Sequence, residues 1–241
     1  MGIRSQGYEP QPYNDQFSDT GIGAASPEPP PVFTATGGTK STPGDGYTYH
    51  IFTSSGAFTI ASGSKAMEYV IVGGGGGGGW DRGGGGGGGA FVSGTLPAPY
   101  VQPGPHPVTI GAGGSGSTAS ATRGSNGANT EFDIPAPGSP TGLLAKGGGG
   151  GGGGPGNNGG PAGSPTGTAS GGSSDDPFGG SGGGSEGSPW GTSNVGGGSG
   201  TYGNPGFKWD GSYTGGGGGG SGSGGPNSTP QSTGGNGSTF P

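Results

Sequence analysis

The sequence contains uninterrupted glycine tracts that follow directly on apolar, strand-like segments. The apolar run 67–72 leads into seven glycines at 73–79, and seven more follow at 83–89 after only three residues. A third tract of eight glycines, 147–154, follows the segment LLAK at 143–146. A flexible linker has no need of a strand before each tract, whereas a packed set of extended glycine helices does. These junctions therefore predict an ordered bundle.

Ordering so much glycine is costly. Glycine loses more conformational freedom on folding than any other residue, and fixing each backbone unit costs about 1–2 kcal/mol. The chain has 75 glycines among 241 residues, and they bring no side chains to bury. The polyproline II helix has three residues per turn and no internal hydrogen bonds, so its peptide groups can pair with neighbouring helices. The alternative that composition leaves open is a set of disordered linkers.

The composition argues against several classes of protein. The basic residues lie far apart and the net charge is −6, so nucleic acids and anionic membranes are poor partners. The absence of cysteine excludes disulfides and thiolate metal sites. No apolar run approaches the roughly 20 residues of a membrane span, and the first residues lack the apolar core of a secretory signal. We expect neither nucleic-acid binding nor membrane insertion.

The chain divides into three predicted regions. Residues 1–32 are interpreted as an N-terminal docking arm that ends in a proline-rich spacer. Residues 33–146 hold the only segments able to form a β-sandwich. Residues 147–241 are predicted to be a polyglycine II lattice with aromatic turns, because they combine glycine runs with aromatic residues and almost no aliphatic side chains. The aromatic residues of the arm suit docking onto another protein, or else belong to a frayed tail: Tyr8, Tyr13 and Phe17.

Short apolar segments across the middle region are typical of β-strands, and no helical period appears. The predicted strands cover 47–52, 54–60, 67–72, 90–92, 108–110, 131–134 and 143–145. The run 67–72 suits a central strand, and 54–60 is interpreted as a turn and a strand returning beside 47–52. The predicted fold class is all-β, a small antiparallel β-sandwich with a bundle of packed polyglycine II helices. The strand ends before 73, 111 and 147 are expected on one side of the sandwich, where they seed a common bundle.

The order of these elements resembles the glycine-rich domain of tailed-bacteriophage fibre and tail-tip proteins. The similarity covers roughly residues 47–154, and it includes a strand pair ending in FTI, the junction EYVIVGGGGGG, the stretch VTIGAGG and a later glycine block. It implies a virion protein, because the relatives are fibre-tip adhesins whose turns between polyglycine II helices bind the receptor. A similar domain occurs in some animal receptor kinases, but the missing cysteines, signal and membrane span count against that relationship.

The sequence predicts no enzyme. It shows no set of nucleophile, base and orienting group, and the glycine runs match nucleotide-binding patterns trivially. We expect no catalytic residue, no metal site and no cofactor; Asp175 and Asp176 are interpreted as a turn rather than a cation site. His50 is expected to face outward from a strand, and His106 to lie in a proline-rich turn.

The turn Trp80-Asp81-Arg82 joins two glycine tracts and must reverse the chain. Because Trp and Arg are enriched at binding hot spots, the turn is either a contact tip or a plain cap on the lattice. The later aromatic residues either bind a receptor or pack at the lattice edge. The candidate receptor-binding residues are Trp80, Arg82, Phe178, Trp190, Tyr202, Phe207, Trp209 and Tyr213.

The predicted function is that of a bacteriophage virion protein, a tail-fibre or tail-tip component for host-surface recognition. Its expected partners are other tail, fibre or capsid proteins, bound through residues 1–32, and a host-surface glycan or outer-membrane protein. The alternatives are a non-adhesive decoration or short-fibre protein on the capsid or tail, and a free-standing secreted or matrix protein.

Overall fold

The structure, a computed structural model, describes residues 2–5, 31–80, 83–119, 122–139 and 142–153. These residues form antiparallel sheets and include no α-helix, which confirms the all-β prediction. The only helical turn among them is a 3-10 turn at Ala98–Tyr100. The strands are β1 Gly2–Ser5, β2 Thr34–Thr36, β3 Thr39–Ser41, β4 Tyr49–Ile51, β5 Gly56–Ser62, β6 Met67–Val72, β7 Phe91–Leu96, β8 Gly104–Thr109, β9 Thr130–Phe132 and β10 Leu143–Ala145.

The described strands make a three-stranded sheet in the order β1-β6-β7, a five-stranded sheet in the order β10-β9-β8-β5-β2, and a pair β3-β4. One buried cluster draws side chains from both larger sheets. Met67, Ile71 and Leu96 come from the three-stranded sheet, whereas Phe58 and Phe132 come from the five-stranded one and pack edge to face at 6.0 Å. The run 67–72 is the middle strand of its sheet, as its continuous apolar character predicts.

Two pairings differ from the sequence prediction. The expected return of 54–60 beside 47–52 is wrong, because β4 pairs with β3 whereas β5 lies between β2 and β8. The short, largely exposed strands β2 and β3 give almost no apolar signal, and the turn between them uses positive φ at Gly37 and Gly38. The start of the expected arm also joins the sandwich, since β1 pairs antiparallel with β6.

Both histidines are buried, and the expectation that His50 faces outward is wrong. The ring nitrogen Nδ1 of His50 lies 2.8 Å from the carbonyl oxygen of Gly37, and Nε2 of His106 lies 2.9 Å from that of Gln102. Because these two ring nitrogens are hydrogen-bonded to backbone carbonyls, neither is left unpaired when the ring is buried. His106 also belongs to strand β8 rather than to a turn, despite its flanking prolines.

Five extended segments continue from the sandwich: segment I (73–80), II (83–90), III (111–119), IV (122–129) and V (146–153). They hydrogen-bond to one another at three-residue steps, which is the repeat of the polyproline II helix. For example, the N–H groups of Gly73, Gly76 and Gly79 donate to carbonyls of segment II at 2.8–2.9 Å. Among the described residues, the glycines with positive φ lie outside these segments. The prediction of a bundle of packed polyglycine II helices is confirmed.

Each strand pair passes into a segment pair without a shift in register. Strands β6 and β7 place Val72 opposite Phe91, and the next bond joins Gly73 to Ala90, which continues the same pairing. The β8–β9 pair continues into segments III and IV in the same way, and the β9–β10 pair into IV and V. A strand therefore sets the register of the segment that it feeds, which explains why strands precede the glycine tracts.

Candidate functional site at the tip of the glycine lattice

The five segments pack in two layers. Segment I hydrogen-bonds to all four others, V also bonds to II and IV, and IV also bonds to III. These pairings place II, I and III side by side in one layer, over V and IV in the other. Segments I, III and V run away from the sandwich, as the prediction of a common bundle requires, whereas II and IV return to it.

Segment I shows where glycine is sterically required. A Cβ added at Gly76 or Gly77 would lie under 3.0 Å from backbone atoms of segments V or III, and the same holds at Gly73, Gly74 and Gly79. Gly75 and Gly78 are exposed, and a Cβ there would come no closer than 3.8 Å to another chain segment. Glycine is therefore essential only on the faces of segment I that meet a neighbour.

Segments III and IV carry side chains on their outward faces. Their exposed positions include Ala112, Ser115 and Thr118 in segment III and Ser125 and Ala128 in segment IV. Gly124 and Gly127 alternate with these positions at three-residue spacing, and a Cβ at either would overlap a carbonyl of segment I. In segment IV, glycine is therefore required at Gly124 and Gly127, which face segment I, whereas the exposed positions between them tolerate a side chain.

Asparagine side chains take the place of a neighbouring backbone along one face of segment V. The amide oxygen of Asn129 accepts a hydrogen bond of 3.2 Å from the N–H of Gly147, and that of Asn126 accepts one of 2.8 Å from Gly150. The matching three-residue spacing makes this a ladder of side-chain acceptors. Arg123 stands at the next step, where its guanidinium can only donate, and its buried Nη1 has no partner among the described residues.

The tip of the lattice is the end farthest from the sandwich. Trp80 of segment I, Thr122 of IV and Gly153 of V lie there. The N–H of Trp80 donates to the carbonyl of Thr122 at 3.3 Å, and a Cβ on Gly153 would contact backbone atoms of both residues. The hydroxyls of Ser117 and Thr122 bond to each other, and the N–H of Thr122 donates to the carbonyl of Ala119 at 3.3 Å.

Trp80 is a large apolar side chain exposed at this tip, with 43% of its surface accessible. The hydroxyls of Ser117 and Thr122 lie on the segments that meet at the same end. An indole beside hydroxyl groups offers an apolar face together with hydrogen-bonding groups, a combination that suits contact with a sugar ring or a protein loop. Sequence reasoning missed Ser117 and Thr122; the signal for them was the change from glycine to hydroxyl residues at the far ends of segments III and IV.

Of the predicted receptor-binding residues, the structure describes Trp80 alone and places it at the tip. The others lie outside the described residues: Arg82, Phe178, Trp190, Tyr202, Phe207, Trp209 and Tyr213. The predicted virion-docking residues also lie outside them: Tyr8, Tyr13 and Phe17.

The part of the chain that the structure describes offers little room for a small-molecule or metal site. A pocket of about 170 Å³ lies beside Ile51, Phe52 and Ala57 in the sandwich, below the roughly 300–1,000 Å³ of typical small-molecule sites. That part of the chain brings together no group of three or more His, Cys, Asp or Glu residues that could hold a metal ion. It also contains no helix long and apolar enough to cross a membrane.

Comparison with known proteins gives a family match. The model of a family described as a glycine-rich domain matches residues 53–240. This span includes strands β5 to β10 and all five glycine-rich segments. Searches of curated proteins and of solved structures returned no match.

Proposed function

We propose that this chain, which belongs to the glycine-rich domain family, uses the tip of its lattice to contact a partner. The protein is a structural component of a bacteriophage virion, in a tail fibre or tail tip, and it recognises a host-surface glycan or outer-membrane protein. The proposal assigns it no catalytic residue and no cofactor. The family match covers the lattice; the virion assignment comes from the resemblance of the strand-to-glycine junctions to those of phage fibre proteins.

The observation that carries the proposal is the exposed Trp80 at the end of a hydrogen-bonded lattice. The backbone N–H of Trp80 bonds to Thr122 and that of Gly79 to Gly84, which holds the backbone at Trp80 in the lattice. A residue whose backbone is already held loses little backbone entropy when it binds, and Trp is among the residues most enriched at hot spots. The tip therefore presents a preorganised contact residue.

The direction in which strand β1 runs is consistent with mounting at one end of the protein and recognition at the other. Strand β1 runs antiparallel to β6, with Ser5 opposite Met67. Since β6 runs toward the lattice, Ser5 lies at the other end of that sheet, and the chain leaves β1 on the side away from the tip. A docking role for residues 1–32 fits that direction, because the mount would not cover Trp80.

The experiment is an adsorption measurement on particles that carry variants of this protein. Trp80→Ala should lower the adsorption rate by about tenfold or more, the effect of losing a hot-spot residue. Ile51→Ala is the matched control, because Ile51 is 40% exposed but lies on the sandwich; it should adsorb normally. Both variants should be incorporated into particles.

A combined variant extends the test to the predicted residues beyond the described part of the chain. It replaces Trp80, Trp190, Trp209 and Tyr213 with alanine. Normal adsorption by this variant would exclude receptor binding and leave the structural alternative.

That second candidate is a non-adhesive decoration or short-fibre protein. It is favoured by the lattice itself, because five segments tied together by backbone hydrogen bonds hold one another in place without a ligand. Cryo-electron microscopy of labelled particles separates the two functions. A few copies at a fibre or tail extremity support recognition, whereas many copies spread over the capsid support decoration.

A further inference from the structure

Arg123 is a half-buried cation that has no counter-charge in the described part of the chain. Its Nη1 atom is buried and makes no hydrogen bond there. Arg123 and Lys146 are the only charged residues in segments I to V, and Lys146 lies at the end next to strand β10. Glu131, the first carboxylate after Arg123 in the sequence, is eight residues away, about 25 Å along an extended segment. Because an unpaired buried donor on a charged group is costly, an anion that reaches this guanidinium gains a partner without displacing one.

The backbone at the same step of the asparagine ladder provides a second donor. The N–H groups of Gly147 and Gly150 donate to amide oxygens of the ladder. Gly153 comes three residues later in segment V, and its N–H donates to no described residue. Arg123, three residues before Asn126, likewise offers donors only. The first two steps therefore pair a donor with an acceptor, whereas the third has donors on both segments, and the oxygens of a carboxylate or phosphate supply the missing acceptors.

Arg123 is next to the residue whose backbone holds the exposed indole of the tip. The N–H of Trp80 donates at 3.3 Å to the carbonyl of Thr122, and this carbonyl belongs to the peptide unit that joins Thr122 to Arg123. Thr122 is exposed, and 43% of the surface of Trp80 is accessible. The tip therefore combines an aromatic surface, a hydroxyl group and a cation within three residues.

We propose that the tip binds a glycan through an anionic substituent held by Arg123. This inference rests on the proposed recognition function and narrows its ligand to sugars that carry a carboxylate or a phosphate. The planar guanidinium donates two parallel hydrogen bonds to either group, and the indole of Trp80 contacts a sugar ring. An acidic protein surface fits less well, because Trp80 is the only large apolar side chain among the described residues of the tip, whereas protein interfaces bury a larger apolar centre.

The first test measures adsorption of particles that carry variants at Arg123. Arg123→Gln keeps a polar side chain but removes the charge, and it should lower the adsorption rate by about tenfold or more, the effect of losing one charge-assisted pair. Arg123→Lys keeps the charge without the planar fork and should lose less. Lys40→Gln is the matched control, because it removes one positive charge from an exposed position on the sandwich; it should adsorb normally.

The second test uses parent particles, with purified surface polysaccharide of the host as an inhibitor of adsorption. Carboxyl reduction converts its carboxylates to alcohols, and hydrofluoric acid removes its phosphates. Loss of inhibition after the first treatment assigns a carboxylate, and loss after the second assigns a phosphate. Inhibition that survives both treatments would overturn the proposal. A polysaccharide that does not inhibit would also overturn it, and a simultaneous loss of adsorption in Arg123→Gln would then point to an anion on a host protein.

Comparison with Trp80→Ala separates failure of this inference from failure of the recognition function. Poor adsorption of Trp80→Ala with normal adsorption of Arg123→Gln would leave recognition standing and exclude the anionic ligand. Normal adsorption of both variants would count against recognition itself.

Asp81→Asn tests for an internal counter-charge, because Asp81 follows Trp80 in the sequence. We expect this change to shift the thermal midpoint equally in the parent and in the Arg123→Gln variant. A loss of about 5 °C or more that appears only when Arg123 is present would show that the two residues are paired, and would overturn the inference.

Discussion

The side-chain oxygen of Asn126 accepts a hydrogen bond of 2.8 Å from the backbone N–H of Gly150. Asn129 makes the same contact with Gly147, three residues earlier in segment V. These amides do what the carbonyls of another glycine segment would do. The lattice can therefore end at this face without leaving the N–H groups of Gly147 and Gly150 unpaired. Asparagine side chains accept these hydrogen bonds, whereas glycine carbonyls of segment I accept those of Gly148 and Gly151.

The first prediction concerns this ladder. Asn126→Ala removes the acceptor and should lower the free energy of unfolding by about 1–3 kcal/mol, the cost of an unpaired buried donor. Asn126→Asp keeps an acceptor oxygen and should lose less. Ser125→Ala, one residue away on an exposed face, is the matched control and should be nearly neutral. Urea unfolding measures all three; an Asn126→Ala variant as stable as Ser125→Ala would contradict the ladder.

The second prediction is that a substitution at Arg123 stabilises the protein. It occupies the next step of the ladder, but its guanidinium cannot accept a hydrogen bond and its buried Nη1 is unpaired among the described residues. Arg123→Asn should extend the ladder and stabilise the protein by about 0.5–1.5 kcal/mol, the worth of one net hydrogen bond. Arg123→Ala removes the charge without adding an acceptor. Equal stability of the two variants would show that the ladder does not continue to this position.

Thr130 tests the junction between strand and lattice. Its side chain is buried, and Oγ1 accepts a hydrogen bond of 3.0 Å from the N–H of Gly111, the first residue of segment III. Thr130→Val keeps the shape but leaves that N–H unpaired, so we expect a loss of about 1–3 kcal/mol in urea unfolding. Thr109→Val on the exposed side of β8 is the control. A loss at Thr109 as large as at Thr130 would point to a general effect of valine instead.

The sequence predicts the core of this fold well where strands feed glycine. The runs 67–72 and 143–145 were placed correctly because apolar side chains stop where the tract begins. The pairing of β4 and β5 was wrong because it depends on the exposed strands β2 and β3, whose TAT and TKS sequences carry no apolar pattern. The burial of His50 could not be seen either, since its partner is a backbone carbonyl thirteen residues away.

The candidate site was only partly predictable. Trp80 was found because it interrupts two glycine tracts. The ladder was missed because Asn126 and Asn129 lie among small polar residues that look like a loop, and only the pairing of segments IV and V gives their spacing a meaning. The sequence also cannot show which glycines of segment I have no room for a side chain. Gly75 and Gly76 are the same residue type, and only their neighbours in the fold distinguish them.

The lattice claim predicts large losses for side chains added where neighbours meet. Gly150→Val should be strongly destabilising, because a Cβ at Gly150 would overlap the carbonyl of Gly124. Thermal unfolding should show a loss greater than that of any substitution in residues 221–241. A negligible effect at Gly150 would indicate that the tract is a solvated linker.

The most direct measurement is the difference in thermal midpoint between Gly76→Ala and Gly75→Ala. These adjacent residues share one tract and receive the same methyl group, so helix propensity and unfolded-state effects cancel. A Cβ at Gly76 would meet the carbonyl of Gly149 under 3.0 Å, whereas one at Gly75 would lie 3.8 Å from its nearest neighbour. We predict that Gly76→Ala unfolds at least about 5 °C below Gly75→Ala. Equal midpoints for the two variants would contradict a packed glycine lattice.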